Sequence, residues 1–247
     1  MTVTYQVLNI SDGGGSENLL INPRGKINQL NDSDGILDPN QYFCDGWKAG
    51  AAGAEVYRDA DGFRLISGSI LQLVPNNLDA GRPIKGNLDA ISGTPAVRIN
   101  GGTDSELSDA QTYITFEVVG NNSKFTRLIL AESESLPIYQ QSPDELEPCK
   151  RFLQVSDSKI ITTYKSLDAA TFRYGLLGVE LDCAMYRPPA VTVTALNMYY
   201  GGQGVDAKLY ASCTWSKVSS IQIKYDDNNQ DLVTSWNNVS YIADARL

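Results

Sequence analysis

Short runs in which apolar and polar residues alternate dominate the chain from residue 17 onward. Tyr113-Ile-Thr-Phe-Glu-Val-Val119 alternates over its full length and is followed by Gly120-Asn121-Asn122, a typical turn sequence. Such a period of two, with Gly and Asn between the runs, is typical of antiparallel sheets with one buried face. The pattern therefore predicts an all-β fold. The other predicted strands are residues 18–22, 63–67, 69–74, 96–100, 125–130, 160–164, 171–174, 178–182, 191–195, 205–210, 220–225 and 239–243.

One segment has the pattern of a helix. Ser142-Pro143-Asp144-Glu145 places a capping Ser before Pro at the first helical position and Glu at the third, which predicts a capping box. The apolar face that follows consists of Leu146, Cys149, Phe152 and Leu153. Pro148 should kink this helix, because its ring nitrogen has no hydrogen to donate.

Residues 1–16 have a different pattern from the rest of the chain. Val3, Tyr5 and Val7 alternate with polar residues, and Gly13-Gly14-Gly15 then forms a predicted flexible joint. A strand without a partner in its own domain is suited to pairing with another chain. We therefore expect residues 1–16 to be an attachment segment.

Composition and charge exclude several classes of function. The 247 residues include no His, so Ser-His-Asp sites, Cys-His sites and His-ligated metals are impossible. The formal net charge of −9 argues against nucleic acid and against anionic membrane surfaces. Pro188 to Val205 is the longest uncharged stretch, and its prolines and glycines make it unsuitable as a membrane span.

The cysteines and the acidic clusters give weak signals for metal binding. The four Cys are widely separated and form no CxxC pair, which favours buried free thiols in a protein made in a reducing cytoplasm. Three clusters offer carboxylate and amide oxygens for Ca²⁺, but none has the spacing of a complete calcium loop. Turn formation explains these residue types as well, so we predict no metal site and no cofactor. The clusters are residues 32–35, 59–62 and 226–229.

Aromatic residues beside flexible polar segments are the candidates for ligand binding. Tyr and Trp present flat apolar faces to the C–H faces of sugar rings and a polar edge to their hydroxyls. Tyr199 and Tyr200 precede a glycine-rich turn that contains Gln203, and Trp236 precedes Asn237. These five residues form the predicted sugar-binding set. The alternative interpretation is that they are ordinary hairpin and core aromatics.

Seven segments, in order along the chain, resemble motifs of bacteriophage tail-fibre proteins. The opening Asn18-Leu-Leu-Ile-Asn22 resembles the first motif of that family. Asp45-Gly46-Trp47 resembles its Asp-Arg-Trp motif without the Arg, and Ala243-Asp-Ala-Arg-Leu247 resembles its terminal Ala-Asp-Ala-Glu-Leu with Arg246 in place of Glu. The segments are residues 18–29, 45–54, 67–74, 96–101, 144–154, 185–192 and 241–247.

This resemblance implies two β-sandwich, jelly-roll-like units joined by a short helix. Residues 1–16 would be the virion-attachment segment, residues 17–141 a carbohydrate-binding-type jelly roll, and residues 142–247 the linking helix and a C-terminal β-sandwich. Asp45 and Trp47 would belong to a structural motif, with Trp47 as a packed anchor. Members of the family usually form trimers and contact the host cell surface.

The expected function is that of a bacteriophage virion structural protein. It would be a tail fibre or receptor-binding tip that recognises host-surface glycans as a homotrimer, without catalysis and without membrane insertion. Residues 1–16 would bind other virion proteins, and the chain would be made in the host cytoplasm before assembly. The alternatives are a capsid or tail decoration that adds stability or adhesion, and a polysaccharide depolymerase built on paired carboxylates.

Overall fold

The computed structural model describes residues 17–162, 164–166, 174–200, 203–206, 211–216, 219–226 and 236–247. The fold is all-β, because its sheets are antiparallel and the described residues contain a single helix, α1 (Leu146–Lys150). The first nine strands are β1 (Gly35–Leu37), β2 (Tyr42–Cys44), β3 (Trp47–Asp59), β4 (Gly62–Pro75), β5 (Pro83–Ser92), β6 (Ala96–Ile99), β7 (Ser105–Leu107), β8 (Tyr113–Val119) and β9 (Ser123–Glu132). The later strands are β10 (Leu153–Thr162), β11 (Tyr164–Ser166), β12 (Tyr174–Glu180), β13 (Ala190–Tyr200), β14 (Gln203–Asp206), β15 (Ala211–Ser216), β16 (Ser220–Asp226) and β17 (Trp236–Asp244).

Strand β4 is the centre of a nine-stranded sheet. The order along the sheet is β1-β3-β4-β9-β5-β7, while β2 pairs with β3 and β6 pairs with β8. The first residues of β4 pair with β9, and its residues 69–75 pair with β8. The change of partner follows Gly68, where the register between β3 and β4 shifts. One strand thus connects two groups of partner strands.

Large aromatic side chains fill the core enclosed by this sheet. Trp47, Phe63, Phe116 and Phe125 are buried and contact one another, with ring centroids 5.4 Å apart for Trp47 and Phe63 and 5.8 Å apart for Phe63 and Phe125. Phe43 packs edge-on against Phe63. Such aromatic pairs stabilise a fold by about 0.5–1.5 kcal/mol each beyond the effect of area burial.

The second half of the chain forms two four-stranded antiparallel sheets. The β17 sheet has the order β10-β17-β13-β14, and the β16 sheet has the order β11-β12-β16-β15. The two sheets contact each other through β13 and β15 and through β10 and β12. Alternate residues of β17, namely Val239, Tyr241 and Ala243, are buried, as expected for a strand with one face toward a core.

Several predicted strands are confirmed, and one is wrong. Strand β8 has the predicted range, β6 begins at the predicted residue, and residues 125–130 lie within β9. Residues 63–67 and 69–74 belong to one continuous strand, β4, that passes through Gly68. Residues 18–22 form no strand. Leu19 N donates to the carbonyl oxygen of Leu130 at 2.8 Å, but side chains replace further ladder bonds: Asn18 Oδ1 accepts from Leu130 N at 3.1 Å, and Gln72 Oε1 accepts from Ile21 N at 2.8 Å. The attachment segment, residues 1–16, lies outside the described residues, as do residues 171–173 and 207–210 of the predicted strands.

The predicted helix is shorter than expected, and its predicted cap is wrong. Ser142 hydrogen-bonds to Asp144, and Asp144 Oδ1 then accepts from the backbone nitrogens of Leu146 and Glu147 at 2.9 and 3.1 Å. Asp144 therefore satisfies the first free N–H groups of α1, and no capping box forms. Residue 153 already begins β10, so α1 has no long apolar face. The helix is too short for Pro148 to introduce the predicted kink. Within the described part of the chain, no helix has the length and apolar composition needed to cross a membrane.

Gly68 and Gly81 offer a matched test of how β3 and β4 pack. Both have a positive φ, of 84° and 85°. A Cβ on Gly68 would lie 2.5 Å from the carbonyl oxygen of Gly53, whereas a Cβ on Gly81 would meet nothing within 4 Å. We expect Gly81→Ala to lower the free energy of unfolding by about 1–2 kcal/mol, the cost of a left-handed conformation. Gly68→Ala should cost clearly more, because backbone atoms of β3 must also move. Urea denaturation of both variants measures the difference. Equal losses of unfolding free energy would show that the close approach of Gly68 to the β3 backbone adds no cost.

Candidate functional site

The five predicted sugar-binding residues lie at one end of the β17 sheet. Tyr199 in β13 pairs with Gly204 of β14 on one side and with Trp236 of β17 on the other. Tyr200 pairs with Gln203, and Met198 pairs with Asn237. Because directly paired residues share a face of a sheet, Tyr199 and Trp236 occupy one face, and Tyr200 and Gln203 occupy the other. The backbone thus brings these positions together but divides them between two faces.

Trp47 and Asp45 lie in a buried network around Asn22. Trp47 is fully buried, and its Nε1 donates to the carbonyl oxygen of Asn22 at 2.9 Å. Asn22 is 1% exposed, and its amide donates to the carbonyl oxygens of Ile27 and Asp45 at 2.8 and 3.0 Å. The buried polar atoms are therefore used to hold an irregular segment against β3. These contacts give Trp47 a structural role and leave it inaccessible to a ligand.

Asp45 also connects the nine-stranded sheet to β10. Gln29 donates to Asp45 from its backbone nitrogen at 2.8 Å and from Nε2 at 2.6 Å, and the same Nε2 donates to the carbonyl oxygen of Leu153 at 2.8 Å. Burial raises the pKa of Asp45 above its ordinary value, although the hydrogen bonds from Gln29 act in the opposite direction. A side chain of the first half of the chain is thereby tied to the backbone of the second half.

Arg246 makes a second connection between the two halves. Its guanidinium binds Asp244 at 2.8 Å and Asp32 at 2.9 Å. The guanidinium carbon also lies 4.5 Å from the centroid of the Tyr42 ring, which is a cation–π distance. Lys48 Nζ donates to the Leu247 main-chain oxygen at 2.8 Å, and Tyr42 donates to the same oxygen. We call Gln29, Asp32, Asp45, Asp244 and Arg246 the junction network.

The acidic clusters are used in ion pairs and turns. Asp34 pairs with Arg58 at 2.7 Å, and Asp61 lies 3.3 Å from Arg24. Asp59 pairs directly with Gly62 at the end of the β3–β4 hairpin, as expected for turn residues. Among the described residues, no group of three or more Cys, Asp or Glu is placed to hold a metal ion. Asp227 to Asn229 of the third cluster lie outside the described residues.

A groove of about 720 Å³ runs between α1 and the end of β4. Its walls come from four parts of the chain: residues 17–23, 74–77, 139–152 and 183–186. Two of its aromatic rings, Phe152 and Tyr186, are stacked with centroids 5.7 Å apart and planes inclined by 25°. The volume lies in the range of about 300–1,000 Å³ that is typical of ligand sites. We call this feature the linker groove.

Tyr139 contributes a phenol hydroxyl to the linker groove. Its hydroxyl donates to Glu145 Oε1 at 3.1 Å, and Glu145 also binds Arg24 at 2.8 Å. Burial and the neighbouring Glu145 carboxylate raise the pKa of Tyr139 to about 12, so the phenol remains protonated at neutral pH. Sequence reasoning missed Tyr139 and Tyr186 as site residues and placed Phe152 on a helix face.

Comparisons of the chain with family models, with curated proteins and with solved structures find no match.

The junction network predicts a pH dependence for Asp45. Because the pKa of Asp45 is raised in the folded chain, its contribution to stability is largest below the ordinary carboxylate pKa and falls as the pH rises through the raised value. Asp45→Asn removes this titration. We expect the unfolding free energy of the original chain, relative to that of Asp45→Asn, to decrease as the pH rises from the ordinary carboxylate pKa to the raised pKa of Asp45. Urea denaturation at a series of pH values measures it, and a difference that grows with pH would contradict the assignment.

Arg246 variants test the second connection. Arg246→Gln should lower the unfolding free energy by about 1–3 kcal/mol, because charged hydrogen bonds to Asp32 and Asp244 are lost. Arg246→Glu should lower it further, since a third carboxylate would lie beside two others. Arg98→Gln is the control, because Arg98 is an exposed residue of β6 and lies outside the junction network. If Arg246→Glu is as stable as Arg246→Gln, the ion pairs do not stabilise the junction.

Burial predicts which thiols are inert. Cys44 and Cys149 are fully buried, and burial raises the pKa of both thiols. Since the thiolate is the reactive form, iodoacetamide at pH 8 should leave both unmodified in the folded chain. The half-buried Cys183 should react before them, and all three should react in urea. Peptide mass mapping measures the modification, and rapid labelling of Cys44 in the folded chain would be inconsistent with this burial.

Proposed function

We propose that this chain is a non-enzymatic bacteriophage virion protein, a tail fibre or receptor-binding tip, that binds glycans of the host surface. The supporting observation is that segments resembling tail-fibre motifs meet in space. The opening segment contacts the Asp45–Trp47 segment through Asn22, the 67–74 segment through Gln72, and the 144–154 segment through Gln29 and Leu153. The resemblance requires its motifs to form parts of one fold, and these contacts are compatible with that requirement.

The proposed architecture is a jelly-roll-like unit over residues 17–141 and a second β-sandwich over residues 142–247. One aromatic-rich core within the nine-stranded sheet supports the first unit. The contacts between the two four-stranded sheets support the second. Rigid sheets of this kind hold exposed residues in fixed positions, as a binding surface requires.

The sugar-binding set is proposed at the end of the β17 sheet. Tyr199 and Trp236, opposite each other on one face, would supply stacking surfaces, while Tyr200, Gln203 and Asn237 would supply hydrogen-bonding groups from the other face at the same sheet end. A single shallow sugar site binds weakly. A homotrimer on a particle would multiply the sites and increase the avidity by roughly 10²–10⁴. Residues 1–16 would attach the protein to other virion components.

Glycan binding is tested with the double variant Tyr199→Ala/Trp236→Ala and, separately, with Tyr199→Ala/Tyr200→Ala. The purified chain should bind a subset of glycans on a host-glycan array, and both double variants should bind them at least about fivefold more weakly. Tyr57→Ala is the control, because Tyr57 lies in β3, a strand of the nine-stranded sheet. Unchanged binding by both double variants would exclude this sheet end.

Particle experiments test the virion role. Labelled protein should be found on the tail of an intact particle, and deletion of residues 2–15 should leave a folded chain that no longer assembles on particles. A knockout phage should adsorb poorly to host cells. Normal adsorption combined with loss of particles under heat or osmotic stress would instead indicate a decoration protein. Release of reducing ends from host polysaccharide by the purified chain would indicate a depolymerase.

A further inference from the structure

We propose that the linker groove is a second binding site, specific for a neutral oligosaccharide and separate from the sheet-end set. This inference rests on the proposed function, since it assigns a glycan as the class of ligand. The groove is lined by residues 17–23, 74–77, 139–152 and 183–186. These ranges overlap segments of the resembling motifs, yet no predicted ligand residue lies there.

Aromatic rings give the groove a surface suited to sugar rings. Phe152 and Tyr186 stack on each other, and Tyr113 lies beside Tyr186 with ring centroids 6.2 Å apart. Phe152 and Tyr186 line the groove and remain partly exposed, so a ligand can reach them. The C–H face of a hexose packs on such rings, while its hydroxyls need polar partners at the edges.

Polar groups of the groove provide those partners. Tyr139 and Glu145 line the groove near α1, and Asn77 lines it as an exposed amide. Carboxylate and amide oxygens accept hydrogen bonds from sugar hydroxyls, and the Asn77 amide nitrogen donates one. The groove therefore combines aromatic rings with hydrogen-bonding groups.

The charge of the groove favours a neutral ligand over an anionic one. Its charged lining residues are Glu17, Asp144, Glu145, Glu147 and Arg151. Arg24 pairs with Glu145 and Lys150 pairs with Glu147, so the remaining charge is small and negative. A uronic acid or sialic acid polymer would bring further negative charge to this surface and to a chain with a net charge of −9.

The groove walls are held in place without a ligand. Gln72 forms two hydrogen bonds with Ile21, at 2.8 and 3.0 Å, which fix one wall to β4. Tyr186 N donates to the carbonyl oxygen of Arg151 at 2.7 Å, and Gln154 donates to the carbonyl oxygen of Cys183 at 2.9 Å. A preformed site loses little conformational entropy on binding.

The test uses titration calorimetry of the full chain with neutral hexasaccharides of glucose, mannose and N-acetylglucosamine, and with hexagalacturonate. We expect at least one neutral hexasaccharide to bind and hexagalacturonate to bind more weakly than it or not at all. Tyr186→Ala should weaken the binding about fivefold or more. Asn77→Ala, which changes an exposed lining residue, should weaken it as well, and it remains informative if Tyr186→Ala does not fold. Tyr57→Ala should bind as the original chain does.

The outcomes separate this proposal from the proposed function. Loss of hexasaccharide binding in Tyr199→Ala/Trp236→Ala, with no effect of Asn77→Ala and of Tyr186→Ala, would overturn the groove and leave glycan binding in place. Absence of binding by every neutral hexasaccharide, tighter binding of hexagalacturonate, or displacement of the sugar by casein peptides would also overturn it. In those cases the host-glycan array still decides whether the chain binds glycans elsewhere.

Discussion

The side-chain amide of Gln29 connects the buried core of the first half of the chain to the first strand of the second half. One nitrogen donates both to the buried carboxylate of Asp45 and to the backbone of Leu153, the first residue of β10. A carboxylate without hydrogen-bond donors is costly to bury, and Gln29 supplies two donors to Asp45. Asp45 in turn gives the Gln29 side chain a fixed acceptor. The same carboxylate lies two residues before Trp47, which is the largest side chain in the core. The packing of the core and the position of β10 are therefore set by one connected group of bonds.

Strands with a strong alternating pattern could be predicted from the sequence, whereas strands that depend on pairing with a neighbouring strand could not. β8 alternates buried and half-buried residues along its length, so its range could be read directly from the pattern. β3 begins with Trp-Lys-Ala-Gly-Ala-Ala-Gly, and β5 contains Gly, Asn and Asp, so neither has the pattern of an isolated strand. Each is extended because it pairs along most of its length with a neighbouring strand, β4 or β9. Tertiary pairing overrides local propensity in such cases.

The sequence predicted the residues of one candidate site, at the end of the β17 sheet, but not those of the other, the linker groove. Tyr199 and Trp236 were selected for their composition and neighbours, and the sheet register placed them opposite each other, which local sequence does not specify. The linker groove could not be predicted, because its walls come from segments that are far apart in the chain. Its residues Phe152 and Tyr186 become neighbours through backbone bonds between residues 151 and 186. The motif residues Asn22, Gln72 and Trp47 turned out to hold the structure together, which gives the resembling segments a physical meaning independent of any ligand.

Strand β4 has a consequence for the local dynamics of the fold. It forms ladders with β3 along one edge and, in succession, with β9 and β8, passing through Gly68 without a chain break. Separating β4 from any one of these neighbours exposes aromatic core residues such as Phe63 and Phe116. Amide hydrogens of β8 and β9 should therefore exchange with solvent through one shared opening, with similar protection. The strands around β4 thus form a single cooperative unit, while short edge strands such as β1 and β7 are free to open separately.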